Sequence, residues 1–147
     1  MKLVSLTFFI LMHLALFGQY EDMLHKPYAD RIEGLKKLHT EAYAQGDSIS
    51  TLTFLKEFKT WAEANNDSEL AMEADMVRGH YYRKFFPNSQ HTIAYLLALV
   101  ERGKENNLQH YEERAVRTIC IYYWNKQEYQ NAFKWFLQSA NNLDKMD

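Results

Sequence analysis

Residues 115–137 read AVRTICIYYWNKQEYQNAFKWFL, and the fold turns on this stretch. Its first part sets Ala115, Val116, Ile119, Cys120 and Tyr123 at the three- and four-residue intervals that line up along one side of a helix. Its last part repeats the spacing with Tyr129, Ala132, Phe133, Phe136 and Leu137, and the stripe runs on through Ala140 and Leu143. Between them lies only the polar turn Asn125-Lys126-Gln127, so the two helices pair antiparallel. Neither part alternates apolar and polar residues as a half-buried strand would.

The same beat recurs upstream. Leu52, Leu55, Phe58 and Ala62, flanked by Phe54 and Trp61, follow Gly46-Asp47-Ser48, where Gly stops one helix and Asp or Ser caps the next. Ile93, Leu96, Leu97 and Val100 follow Pro87-Asn88-Ser89. Before each runs a partner helix, one carrying Ile32, Leu35, Leu38 and Ala42, the other Leu70, Ala74, Val77, Tyr81 and Phe85. Asn pairs at 65–66, 106–107 and 141–142 punctuate the chain at intervals of 41 and 35 residues. Asn is poor inside helices and good at their ends, so each pair is expected to close one helix and open the next. The reading is all-α, with hairpins over about 27–66, 67–107 and 108–144. A lone hairpin buries one face only, so the three are expected to stack as a right-handed α-solenoid. The helix around Ile93–Val100 is expected to be the most buried, because Tyr95, Ala98 and Leu99 make it apolar nearly all round.

Composition agrees. Five Gly and two Pro in 147 residues are too few turn-formers for a many-stranded sandwich or barrel. One cysteine excludes a disulfide scaffold. Seventeen Lys and Arg against nineteen Asp and Glu offer no bulk attraction for nucleic acid.

The last hairpin resembles a tetratricopeptide repeat (TPR). Val116 stands for that family's large first residue, Ile119 for its Leu, Cys120 for its small Gly and Tyr123 for its Tyr. Ala132 and Phe136 keep the A-x3-F spacing, and Tyr129 suits the aromatic at the second helix start. These seven residues are the expected repeat-packing set. The sequence departs from the pattern in lacking the Trp, in Cys for Gly, and in Asp144 where a Pro is expected. In the second hairpin Gly79 and Tyr82 keep the G-x2-Y spacing, and Ala94 comes three residues late. The first matches in kind, with Ala42, Gly46 and Leu55. The resemblance thus covers one good repeat and two degenerate ones. Exported chains of this type resemble the sensor portion of bacterial signalling proteins, which implies protein–protein interaction and signal transduction. No kinase or DNA-binding output is encoded here, and Asp147 falls where another hairpin could begin, as in the N-terminal part of a longer protein.

The N-terminus reads as an address. Met1 and Lys2 precede an apolar run from Leu3 to Phe17, then Gly18 and the polar Gln19 to Asp22. This is the layout of a secretory signal peptide, 1–18, cut after Gly18, although Leu16 stands where a smaller residue is preferred. The run is short of the ~20 residues of a permanent span, which leaves an uncleaved membrane anchor as the alternative. The product, residues 19–147, is then periplasmic or extracellular. Cys120 becomes a lone thiol in an oxidising compartment, tolerable if buried.

Little points to chemistry. His13 leaves with the signal, and His25, His39, His80, His91 and His110 show no metal-ligand spacing. The five glycines are isolated, so there is no phosphate loop, and no carboxylate sits in an apolar context. Tyr81, Tyr82, Phe85 and Phe86 read as core. No catalytic residue, metal or cofactor is expected.

A binding surface is expected instead. In a stack of this kind the first helix of each hairpin lines the concave face. Off its packing stripe stand Lys36, Tyr43, His80, Arg83, Lys84, Arg114, Arg117 and Trp124. The set is basic and aromatic, suited to an acidic segment or chain-end carboxylate of a partner protein, although ordinary solvated charge gives the same list. Trp135 lies off the Ala132/Phe136 stripe, so it is expected on the surface, under a further helix or in self-association. A structural or assembly protein acting through that end, and an enzyme with an unrecognised site, are the remaining alternatives.

Overall fold

The computed structural model describes Gly18 and residues 20–143. Residues 1–17 of the expected signal peptide, Gln19 beyond its cut, and Asp144 lie outside the described residues. A 3-10 turn, Glu21–Met23, precedes six α-helices: α1 Tyr28–Ala44, α2 Ser48–Ala64, α3 Ser68–Phe85, α4 Gln90–Glu105, α5 Gln109–Asn125 and α6 Tyr129–Leu143. No strand occurs among the described residues, and the chain is all-α as its periodicity requires. It divides after Leu70 into two compact units.

Three of the turns share one mechanism. After α2 the Asn66 amide donates to Glu63 O and the Asp67 amide to Ala62 O. After α4 the Asn107 amide donates to Lys104 O and the Leu108 amide to Gly103 O. After α5 the Gln127 amide donates to Trp124 O and the Glu128 amide to Tyr123 O. These are Schellman closures, which satisfy the last carbonyls of a helix and need one left-handed residue. Asn66, Asn107 and Gln127 supply it, at φ of 57°, 55° and 62°. The preceding Asn65 and Asn106 turn their side-chain amides back onto Trp61 O and Arg102 O. The first two Asn pairs therefore end helices, as expected. The third does not act this way, because α6 continues through Asn141 and Asn142 to Leu143.

In the first unit Leu35, Leu38 and Ala42 of α1 and Phe54, Leu55, Phe58 and Ala62 of α2 are buried. Tyr20 closes this core with its ring edge-on to Phe58 at 4.9 Å, and its hydroxyl donates to Glu41. The α1 stripe is shifted from its expected register: Arg31 is 2% exposed and Ile32 40%. Arg31 turns inward because Asp67 and Glu69 wait for it.

In the second unit one cluster joins Met72 and Met76 of α3, Leu96, Leu99 and Val100 of α4, and Ala115, Val116, Ile119 and Tyr122 of α5. Every residue from Leu70 to Val77 is buried, whereas Ala94, Leu97 and Ala98 of α4 are exposed. The most buried run is therefore on α3, not around Ile93–Val100. The reason is that α3 makes contacts with both α4 and α5, through Asp75–Arg102 and Glu73–Arg114, while Leu97 and Ala98 face neither. Two glycines allow close approach. A β-carbon on Gly79 would meet the ends of Leu99 and Leu96, and one on Gly103 would meet the Glu112 backbone at 2.9 Å.

The expected repeat-packing set splits. Val116, Ile119 and Ala132 are buried, and Cys120 and Tyr123 half-buried, but Tyr129 and Phe136 are 55% and 56% exposed. The buried face of α6 is turned by about a quarter of a turn from the expected stripe. Ala132, Trp135 and Ser139 face α5, with Trp135 packed on the core rather than on the surface. Phe85 and Phe86 are likewise exposed rather than core, although their rings touch Tyr81 and Tyr82.

Candidate functional site

Four carboxylates lie inside the units: Asp67 in the first, and Glu73, Asp75 and Glu113 in the second, none more than 4% exposed. Each holds an arginine, since a buried charge is tolerable only when paired. Glu73 accepts from Arg114 at 2.5 and 3.1 Å. Asp75 accepts from Arg102 and from the Tyr95 hydroxyl, the latter at 2.8 Å. Burial, then the Asp75 charge, pushes the Tyr95 phenol well above its ordinary range. Glu113 accepts from Arg117 Nε at 3.1 Å and Nη2 at 2.5 Å, and from Ser139 Oγ on α6 at 2.9 Å.

The expectation that no carboxylate sits in an apolar context is therefore wrong, and the sequence itself carries the contrary signal. Glu73 and Asp75 stand inside LAMEADMV, residues 70–77, where only a paired acid can sit. Their effect is to neutralise much of the expected basic face. Arg114 and Arg117 each spend two N–H groups on an internal carboxylate, and His80 Nε2 lies 3.1 Å from Thr118 Oγ1. Arg83 has its Nε buried without a hydrogen-bond partner, and the Lys84 ammonium stands 5.0 Å over the Phe85 ring. Lys36 and Tyr43 lie on α1 in the first unit, one exposed and one half-buried. Burial, with the Arg114 charge beside it, lowers the pKa of His110.

Trp124 of the expected binding set and Cys120, Tyr129, Ala132 and Phe136 of the packing set do converge on a distinct feature. Trp124, 62% exposed, forms with Cys120 the α5 wall of an apolar groove whose α6 wall is Tyr129, Ala132, Phe133 and Phe136. Its volume is about 580 Å³. Trp124 and Tyr129 meet edge-to-face at 5.2 Å across the turn, and the Phe133 and Phe136 rings stack at 6.4 Å. Leu137, 47% exposed, extends the apolar face on the same helix. Arg117 continues the Trp124–Cys120 line by one helical turn, with its side chain 58% exposed. Cys120 is half-buried here, and desolvation raises its thiol pKa.

A second hollow, in the first unit, is polar and lined by His25 to Tyr28, Arg31 and Asn66 to Glu69. It is a capping centre. Asp67 accepts the Leu70 amide at 2.9 Å, which caps α3, and the His25 amide at 2.8 Å. Among the described residues no group of His, Cys, Asp and Glu is arranged to share a metal ion, and no helix is long and apolar enough to cross a membrane. No family model, curated protein or solved structure matches the chain.

Proposed function

We propose that the protein is an interaction module, a tetratricopeptide-like set of helix hairpins that takes an apolar segment of a partner protein on the α5–α6 groove. The observation that carries this reading is the run of large side chains left in solvent there: Trp124, Tyr129, Phe133 and Phe136 are each more than half exposed, side by side. Contiguous apolar patches of this kind mark binding sites on soluble domains, and aromatics give much contact area for little lost rotamer freedom. Ala132, buried at the groove's floor, joins the two walls, so less ordering is left for a partner to impose. The basic start and apolar run at 1–17 support an exported module, whose role as sensor or assembly factor depends on what the groove holds.

The test is photo-crosslinking in the producing cell. A photoreactive phenylalanine replaces Phe133 in one strain and Ile49, which is 81% exposed on α2 of the first unit, in another. The reading expects a discrete adduct with a different protein from position 133 and none from position 49. Equal labelling from both positions, or adducts with other copies of this chain alone, overturns it.

A further inference from the structure

Resting on that reading of the groove, we infer that the segment it takes is an amphipathic helix carrying an acidic residue beside its apolar anchors, and that Arg117 reads the acid. Around the groove the ion pairs Arg117–Glu113 and Lys126–Glu128 cancel in charge, and Lys134 on α6 leaves a net positive balance among the described residues. The helix α6 contains Lys134 and no Asp or Glu from Tyr129 to Leu143. At the turn end, Glu128 is engaged by Lys126 at 3.3 Å and by the Asn131 side chain at 3.0 Å. At the other end stands Arg117.

Arg117 is built for a second carboxylate. Its Nε and Nη2 are fixed on Glu113, itself 2% exposed and tied to Ser139 of the facing helix. The guanidinium plane is therefore set before a ligand arrives, and the Nη1 edge is left for another acceptor. A planar fork held in this way suits bidentate recognition of a carboxylate. From Arg117 to Trp124 is seven residues of α5, about 10 Å. Two turns of a partner helix span that length, with two apolar anchors and one acid at the i, i+3 or i+4, i+7 spacing.

The probe is a short helical peptide with Leu at the anchor positions and Glu at both flanks, compared with versions carrying Gln or Lys there. Binding to the full chain is read by fluorescence anisotropy. The Glu peptide is expected to bind about tenfold tighter than the Lys peptide, with a preference that shrinks as salt rises. Arg117→Lys keeps a cation for Glu113 but removes the fork, so the Glu-over-Gln preference falls while helical circular dichroism stays unchanged. Arg117→Gln abolishes the preference, and Phe133→Glu abolishes binding of all three peptides. Equal affinity for the three peptides, lost with Phe133→Glu, overturns the acidic-partner inference and leaves the groove standing. Failure of every peptide to bind overturns the groove reading itself. So does a dimer in sedimentation that Phe133→Glu converts to monomer, since the occupant is then a second copy.

Discussion

Replacing Asp67 by alanine tests how the first unit is closed. One carboxylate there serves three donors: the Leu70 amide at the start of α3, the His25 amide, and the Arg31 guanidinium at 3.3 Å. Loss of the cap alone costs about 1 kcal/mol. The His25 amide loses a bond to a charged acceptor, a class worth about 1.5–3 kcal/mol, and His25 is held at a left-handed φ of 56° beside it. Arg31, 2% exposed, loses its buried partner but keeps Glu69, so only part of the roughly 3–5 kcal/mol of a broken buried pair applies. The terms overlap, because they share one carboxylate, and a total of about 3–4 kcal/mol is expected for Asp67→Ala. Asp67→Asn keeps an acceptor for the Leu70 amide and is expected to cost about half as much. Urea denaturation gives these values, and amide hydrogen exchange at His25 and Leu70 localises them. The pH dependence has a definite sign. Burial works against the charged form of Asp67, but the His25 and Leu70 amides and then the Arg31 charge outweigh it and hold its pKa below the ordinary carboxylate value. The stabilisation is thus complete above about pH 4, the unfolded value, and drains away as acid takes the protein down through the folded one. Asp67→Asn flattens that acid limb. A cost under about 1 kcal/mol for Asp67→Ala, typical of a surface pair, or acid limbs that run parallel in the two proteins, would refute the argument.

Two further outcomes follow from local geometry. Gly103→Ala puts a methyl 2.9 Å from Glu112 Cα and N, backbone atoms that move only if α4 and α5 part, and is expected to cost about 1–3 kcal/mol. Gly79→Ala meets only the turning ends of Leu99 and Leu96 and gains about 1 kcal/mol of helix propensity, so it should stay within about 1 kcal/mol of the parent in urea melts. The reverse order would contradict the packing described. Because desolvation raises the Cys120 thiol, alkylation should show a rate–pH midpoint above that of a free cysteine, and a peptide seated in the groove should slow it further. A midpoint at or below the free-thiol value would contradict the half-buried wall position.

How far the sequence carries this structure depends on whether a residue's role is local. Helix ends are local: Gly46, Asn66 and Asn107 adopt the positive φ that their types favour, so those turns could be read directly. Gln127 takes the same conformation with a residue type that gives no such sign. Helix faces are not local, and α6 shows why. Its sequence offers two faces that could be buried, one of small residues and a Trp through Ala132, Trp135 and Ser139, the other of large apolar residues through Tyr129, Phe133 and Phe136. Periodicity alone favours the side richer in large residues, which is the side the structure leaves in water. What decides is the neighbour. Small side chains at 132 and 139 let α6 approach α5, and Ser139 answers the buried carboxylate of Glu113, which no phenylalanine at that level could do. The same ion pair fixes Arg117 at the end of the groove. The register that hides Trp135 therefore also exposes Phe133 and Phe136 and orients the arginine beside them. A Ser139→Leu substitution would bury an apolar group against Glu113, so the register of α6 and the groove's polarity should fail together.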